Sequence, residues 1–163
     1  MPSFDIVSKT DMQLVDNAVN TAKKELINRY DLKDELCSIE LDKKSKLLKL
    51  EAKQEMALQT LIDIILGKFS KQNLDVRLLD LGDKPRPSGR LMLQDIKIKE
   101  GLDKETAKKI VGFIKTANNK LQAAIHEDQV RVTGKKIDDL QELMANLRQQ
   151  DFEVPMQFEN FRS

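Results

Sequence analysis

The chain has 163 residues, of which 28 are Lys or Arg and 27 are Asp or Glu, for a formal net charge of +1. That length suits one ordinary domain or two small ones, and roughly 70% of the unfolded surface can be buried without a disulfide or metal staple. Near-neutral charge excludes the strongly basic footprint of many nucleic-acid proteins, and a lone Cys37 with a lone His126 excludes an internal disulfide and a zinc site.

The opening MPSFDIVS has neither the basic n-region nor the apolar h-region of a secretory signal, and no apolar run approaches the roughly 20 residues of a membrane span. A soluble cytoplasmic protein with no membrane partner is expected. Within it, SFDIVS (3–8) reads as a strand. Asp11 is a candidate N-cap for a helix to about Tyr30, with Met12, Val15, Val19, Ala22 and Leu26 inward at helical spacing. A hairpin follows, CSIEL and KLLKLE around Asp42-Lys43-Lys44-Ser45, with Cys37 as a small core hydrophobe. Next comes a helix from about Gln54 to Lys71 with Ala57, Leu61, Ile64 and Ile65 on one stripe, then a strand DVRLLDL (75–81).

GDKPRPSGR (82–90) concentrates Gly and Pro and reads as the linker. After it, LQDIKIKE (93–100) predicts a strand and Asp103 a helix N-cap, with Ala107, Ile110, Val111 and Ile114 buried. A hairpin at 121–134, a helix from 137 to about 148 and a strand from 152 end the chain.

The two halves repeat. LQTLIDIIL (58–66) aligns with LQELMANLR (140–148), AKKEL (22–26) with AKKIV (107–111), and NLDV (73–76) with DFEV (151–154), in preserved order. Each half reads strand, helix, strand, strand, helix, strand, which predicts an α+β fold of two ferredoxin-like βαββαβ units, each an antiparallel sheet with helices on one face.

Alternation along the strands then selects side chains for the other face. With Ile96, Ile98, Val130 and Val132 inward, Lys97, Lys99, Arg131 and Thr133 point away from the helices. If the two open faces lie side by side, Lys97, Lys99 and Arg131 are the best-placed cations for phosphates, with Thr133 beside them and Lys135 and Arg90 at the rim. The alternative is a charged face that is simply solvated. Gly134-Lys135-Lys136 lacks the upstream Gly and following Ser or Thr of a P-loop. It reads as a strand-to-helix turn in which Gly supplies backbone freedom, with an anion contact at the helix N-terminus as the alternative.

Four segments together, MPSFDIVS, AKKIVGFIK (107–115), QVRVTGKKIDDLQELMANL (129–147) and QFENFR (157–162), resemble the YajQ family from end to end. The resemblance implies that the units exchange first strands, so that residues 9–99 form one domain, with its first strand from about 91–99, and residues 1–8 with 100–163 the other. It also implies a nucleotide-binding protein linked to RNA or cyclic di-GMP, with no established reaction, no cofactor and no catalytic residues to carry over. A transcription regulator or other protein is a further implied partner. Two turns depart from the family pattern: AIHED (124–128), where a Gly commonly precedes the acidic residue, and RYDLKD (29–34), where a Gly is common last.

Acylphosphatases share the fold and use an Arg-containing phosphate cradle after the first strand, but SKTD and KEGLD contain no Arg. A non-enzymatic binder is therefore expected, with a protein adaptor using the open sheet faces as the alternative. The stacking aromatics of RNA-binding sheets are also missing. Phe4, Phe152 and Phe158 fall on inward positions; Phe161, beside Arg162, is the one candidate for an exposed ring next to a cation, with docking into the core expected instead.

Overall fold

All 163 residues are described by the structure, a computed structural model. In chain order, β1 (Ser3–Val7) precedes α1 (Met12–Asn28), and a 3-10 turn (Tyr30–Leu32) leads to β2 (Ser38–Asp42) and β3 (Leu47–Ala52). Next come α2 (Glu55–Lys71), a second 3-10 turn (Val76–Leu78), β4 (Leu79–Asp80), β5 (Arg86–Ser88) and β6 (Leu91–Ile98). The remainder is α3 (Lys104–Ala117), β7 (Gln122–His126), β8 (Gln129–Thr133), α4 (Ile137–Arg148) and β9 (Gln157–Arg162). Two compact units result: an N-terminal unit, Thr10–Lys99, and a C-terminal unit, Met1–Lys9 with Glu100–Ser163. No helix is long and apolar enough to cross a membrane.

In the N-terminal unit, α1 starts because the Asp11 carboxylate accepts from the Gln13 and Leu14 N–H groups, satisfying donors that a helix start leaves orphaned. Val15, Ala18, Val19 and Ala22 form its buried stripe. The apolar stripe of α2 is wider, from Ala57 and Leu58 through Leu61, Ile62, Ile64 and Ile65 to Phe69. Both helices cover one face of an antiparallel sheet of order β2-β3-β6-β4, on which Ile39, Leu48, Leu50, Ile96 and Ile98 are buried. Full burial of each such side chain contributes roughly 1.5–3 kcal/mol.

Local side-chain chemistry shortens one expected strand of this unit. The strand expected at 75–81 shrinks to Leu79–Asp80. Asp75 accepts from the Arg77 backbone N–H at 2.9 Å and binds the Arg77 guanidinium at 2.7 Å, a local bond set that competes with sheet pairing and leaves a 3-10 turn. Residues 82–90 lie inside this unit, where Arg86–Ser88 pairs with Leu91–Leu93 around Gly89-Arg90, Gly89 taking φ +63°. Pro87 is tolerated there because β5 has a partner on one side only.

The C-terminal unit repeats the arrangement with order β7-β8-β1-β9, again antiparallel throughout. Its central strands place Phe4 beside Val132 and Ile6 beside Val130, all fully buried under Ala107, Ile110 and Ile114 of α3 and Leu140, Leu143 and Leu147 of α4. Asp103 caps α3 by accepting from Thr106 N at 2.7 Å. The last strand begins at Gln157 rather than 152, because Asp151 accepts from Glu153 N and Glu153 adopts φ 66°, closing a turn where extension was expected.

Pairing of β9 with β1 slips between Ser3 and Asp5, where Asn160 takes φ 56°. One extra residue in β9 at that bulge lets Phe158 and Phe161, three apart, both reach Phe4, at ring-centroid distances of 5.5 and 6.0 Å.

Candidate functional site

With Val130 and Val132 committed to the core, strand alternation turns Arg131 and Thr133 to the helix-free face of the C-terminal unit. Arg131 stands opposite Asp5 on β1 and grips it with both arms of its fork, Nε to Oδ1 at 2.9 Å and Nη2 to Oδ2 at 3.3 Å. Asn160, at the bulge, donates to the same Oδ2 at 2.9 Å. Asp5 is only 4% exposed, whereas the Arg131 side chain is 39% exposed.

The Arg131 hydrogen bonds hold the Asp5 carboxyl below its ordinary range against the opposing effect of burial, with Asn160 and the charge of Arg162 helping. Reciprocally, Asp5 raises the pKa of Arg131. A guanidinium has five N–H donors, and Arg131 uses two of them on Asp5. The side chain is thereby fixed in orientation while three donors remain available.

The adjoining row across the sheet runs Gln122, Thr133, Ser3, Arg162. Two hydroxyls and a second guanidinium thus flank Arg131. Opposing charge comes from Glu159, which Lys9 neutralises at 2.7 Å. Ser3, Asp5, Asn160 and Arg162 were missed by sequence reasoning; the alternation of SFDIVS already put Ser3 and Asp5 on the side opposite Phe4 and Ile6.

The six expected site residues are distributed over the two units. Arg131, Thr133 and Lys135 belong to the C-terminal one, with Lys135 exposed in the turn before α4. Lys97, Lys99 and Arg90 belong to the N-terminal one. Lys97 is exposed on the helix-free face, with Leu47 and Asp80 as cross-strand neighbours. Two residues before it, Asp95 sits opposite Lys49 and binds Arg86 at 3.0 Å, so this face alternates in sign. Lys99 follows β6, half-buried, with its backbone bonded to Leu78 and to the Thr10 hydroxyl. Arg90 is an exposed turn residue after Gly89.

Two further expectations need correction. Gly134 does not adopt a left-handed conformation; it is buried, and a Cβ there would lie 2.5 Å from a Leu121 methyl, so glycine serves close packing. Phe161 does not enter the core, and remains 61% exposed with its ring stacked on Phe4.

A family model described as nucleotide-binding protein, YajQ-like, matches residues 2–162. The chain belongs to the YajQ-like family. Relatives of this YajQ-like chain, each named a nucleotide-binding protein, include one from Pseudomonas fluorescens, 51% identical over 99% of both chains, and one from Geobacter, 47% identical over the full length of both. Another, from Cytophaga hutchinsonii, is 44% identical over 99% of this chain and all of its own. These YajQ-like names describe binding and no reaction.

Proposed function

We propose that the protein is a non-catalytic receptor for a guanine nucleotide of the cyclic di-GMP type, held by its phosphates on the helix-free face of the C-terminal unit. One observation carries the reading: Arg131 is oriented by the buried Asp5 carboxylate with three N–H donors left over, beside the Thr133 and Ser3 hydroxyls and Arg162. A planar fork held in place favours bidentate recognition of phosphate. Lys135 stands at the margin of this face, and Lys97, Lys99 and Arg90 are secondary candidates in the N-terminal unit. The family name supplies the ligand class.

Catalysis is disfavoured by the neighbours of the two hydroxyls. A guanidinium and a carboxylate held below its ordinary range are both poor proton acceptors near neutral pH. Single-stranded RNA is a weaker fit, because Phe4 on β1 is turned into the core and no ring stands on the helix-free side of β1 or β8 for bases to stack on.

The test is calorimetric titration of cyclic di-GMP, GMP and a short RNA at low and high salt. The proteins are the wild type, Asp5→Asn/Arg131→Gln, which removes both charges while keeping a polar pair, and Arg90→Ala/Lys97→Ala/Lys99→Ala. Binding of cyclic di-GMP that weakens with salt and is lost in the first variant is expected. Unchanged affinity in that variant places the site elsewhere. No nucleotide binding by the wild type leaves the protein-adaptor reading.

A further inference from the structure

A nucleotide has a base as well as a phosphate, and the helix-free face offers the base no apolar surface. Of the six Phe and one Tyr in the chain, only Tyr30 and Phe161 are exposed, at 86% and 61%. Their surroundings differ. Tyr30 lies in a recess of the N-terminal unit among exposed Ile27 and Leu36, but Arg29 beside it is already bound to Asp31 and Glu25, and the Lys33 ammonium stands 5.7 Å over the ring. The ring face is thus already taken by a cation.

Phe161 instead forms one wall of a groove of about 240 Å³ in the C-terminal unit, whose opposite wall is Ile137, Leu140 and Met144 of α4. Ligand pockets for drug-sized molecules run from about 300 to 1,000 Å³, so this space suits a single flat ring system. Ile137 is 52% exposed and Met144 half-buried, which leaves apolar surface and a polarisable thioether facing the ring. At the rim stand Ser3 and Arg162, the same residues that close the hydroxyl row on the helix-free face. Lys135 and Lys136 immediately precede Ile137 and are exposed. Cations therefore flank an apolar slot that is continuous, through two shared residues, with the proposed phosphate face.

We infer that this groove is the base-binding subsite: the purine ring of the nucleotide enters between Phe161 and Met144, while its phosphate reaches Ser3 and Arg162 at the rim. This rests on the nucleotide reading above and adds to it the place of the base. Stacking on one ring is tolerant of sequence, so guanine and adenine nucleotides both enter, and a phosphorylated sugar lacking the base does not occupy the slot.

Full-length protein carrying ¹³C-methyl methionine is titrated with GMP, with guanosine and with ribose 5-phosphate. GMP and guanosine are expected to shift the Met144 methyl resonance, and ribose 5-phosphate to leave it in place. Phe161→Ala is expected to weaken GMP by roughly five- to a hundredfold, the range of a lost base–ring stack, and to leave ribose 5-phosphate unchanged. Phe161→Leu keeps apolar packing on Phe4 without the ring face and serves where the Ala variant unfolds; it should lose GMP affinity in the same direction. Tyr30→Ala should bind like the wild type. A silent Met144 resonance while GMP binds, or full GMP affinity in folded Phe161→Leu, overturns the subsite and leaves the phosphate face standing. Absence of GMP binding by a wild type that binds cyclic di-GMP overturns the subsite alone; absence of binding to either overturns both.

Discussion

Replacing Asp5 by Ala removes the group that orients the polar face of the C-terminal unit. The carboxylate is 4% exposed and accepts from Arg131 at 2.9 and 3.3 Å and from Asn160 at 2.9 Å. Breaking a fully buried pair costs about 3–5 kcal/mol, whereas exposed pairs measure about 0.2–1 kcal/mol. Here Arg131 is 39% exposed and can return to water, so the loss should fall between those limits, at about 1.5–3 kcal/mol. At about 2–4 °C per kcal/mol for a chain of this size, the melting point should drop by roughly 3–12 °C. Thermal melts of wild type, Asp5→Ala and Asp5→Asn across a pH series are the assay. The folded pKa of Asp5 lies below its ordinary 3.8, chiefly through Arg131. Its stabilisation is thus fully present above the unfolded value and is lost as pH falls through the folded one. The gap between wild type and Asp5→Asn should hold from about pH 7 to about pH 5, begin to narrow below about pH 4 and close only as pH falls past the folded value. A gap that widens on acidification, or Asp5→Ala melting with the wild type at neutral pH, would refute the reasoning.

Other substitutions test the backbone and surface. Gly101 has φ +78°, and a Cβ there would lie 2.5 Å from the Asp128 carboxylate and 2.8 Å from its Cβ, so Gly101→Ala should destabilise by at least about 1–3 kcal/mol in denaturant titrations. Glu127 holds φ 55° in the β7–β8 turn, and Glu127→Gly should stabilise by about 0.5–1 kcal/mol by relieving the left-handed penalty. Lys97→Ala, on an exposed position, should change stability by no more than about 0.5 kcal/mol in the same titrations. Burial, followed by the Glu35 and Asp31 charges, pushes the Cys37 thiol above its ordinary range, so iodoacetamide should alkylate it more slowly than free cysteine at mildly alkaline pH.

Periodicity was enough for the helices and for the split of Val130 and Val132 from Arg131, because a buried stripe or alternating strand is written directly in residue order. Asp11 and Asp103 announced two helix starts for the same reason. The Asp5–Arg131 pair spans 126 positions and exists only through the register of β1 on β8, which no local pattern encodes. The place of Phe161 could not be counted along β9: an unbroken pleat would put it on the face opposite Phe158, whereas the extra residue at Asn160 returns it to the Phe4 side, where it still stays 61% exposed. Asp75 and Asp151 ended or delayed strands through bonds to nearby backbone donors, an outcome that propensity alone does not separate from extension. The departure from Gly in AIHED did not prevent the turn; Glu127 adopts the left-handed conformation itself.

The order in which the chain is synthesised gives the placement of β1 a consequence for folding. Every strand of the N-terminal unit has been made once Lys99 leaves the ribosome, so that sheet can close while translation continues. β1 precedes the whole N-terminal unit in the chain, yet its partners, Gln129–Thr133 and Gln157–Arg162, follow that unit. Phe4 and Ile6 must therefore remain unpaired on the nascent chain until those strands are made, which leaves SFDIV open meanwhile to chaperones and competing strand edges. Contacts between such distant residues also slow folding, so the C-terminal unit should be the last to acquire protection from proteolysis after synthesis.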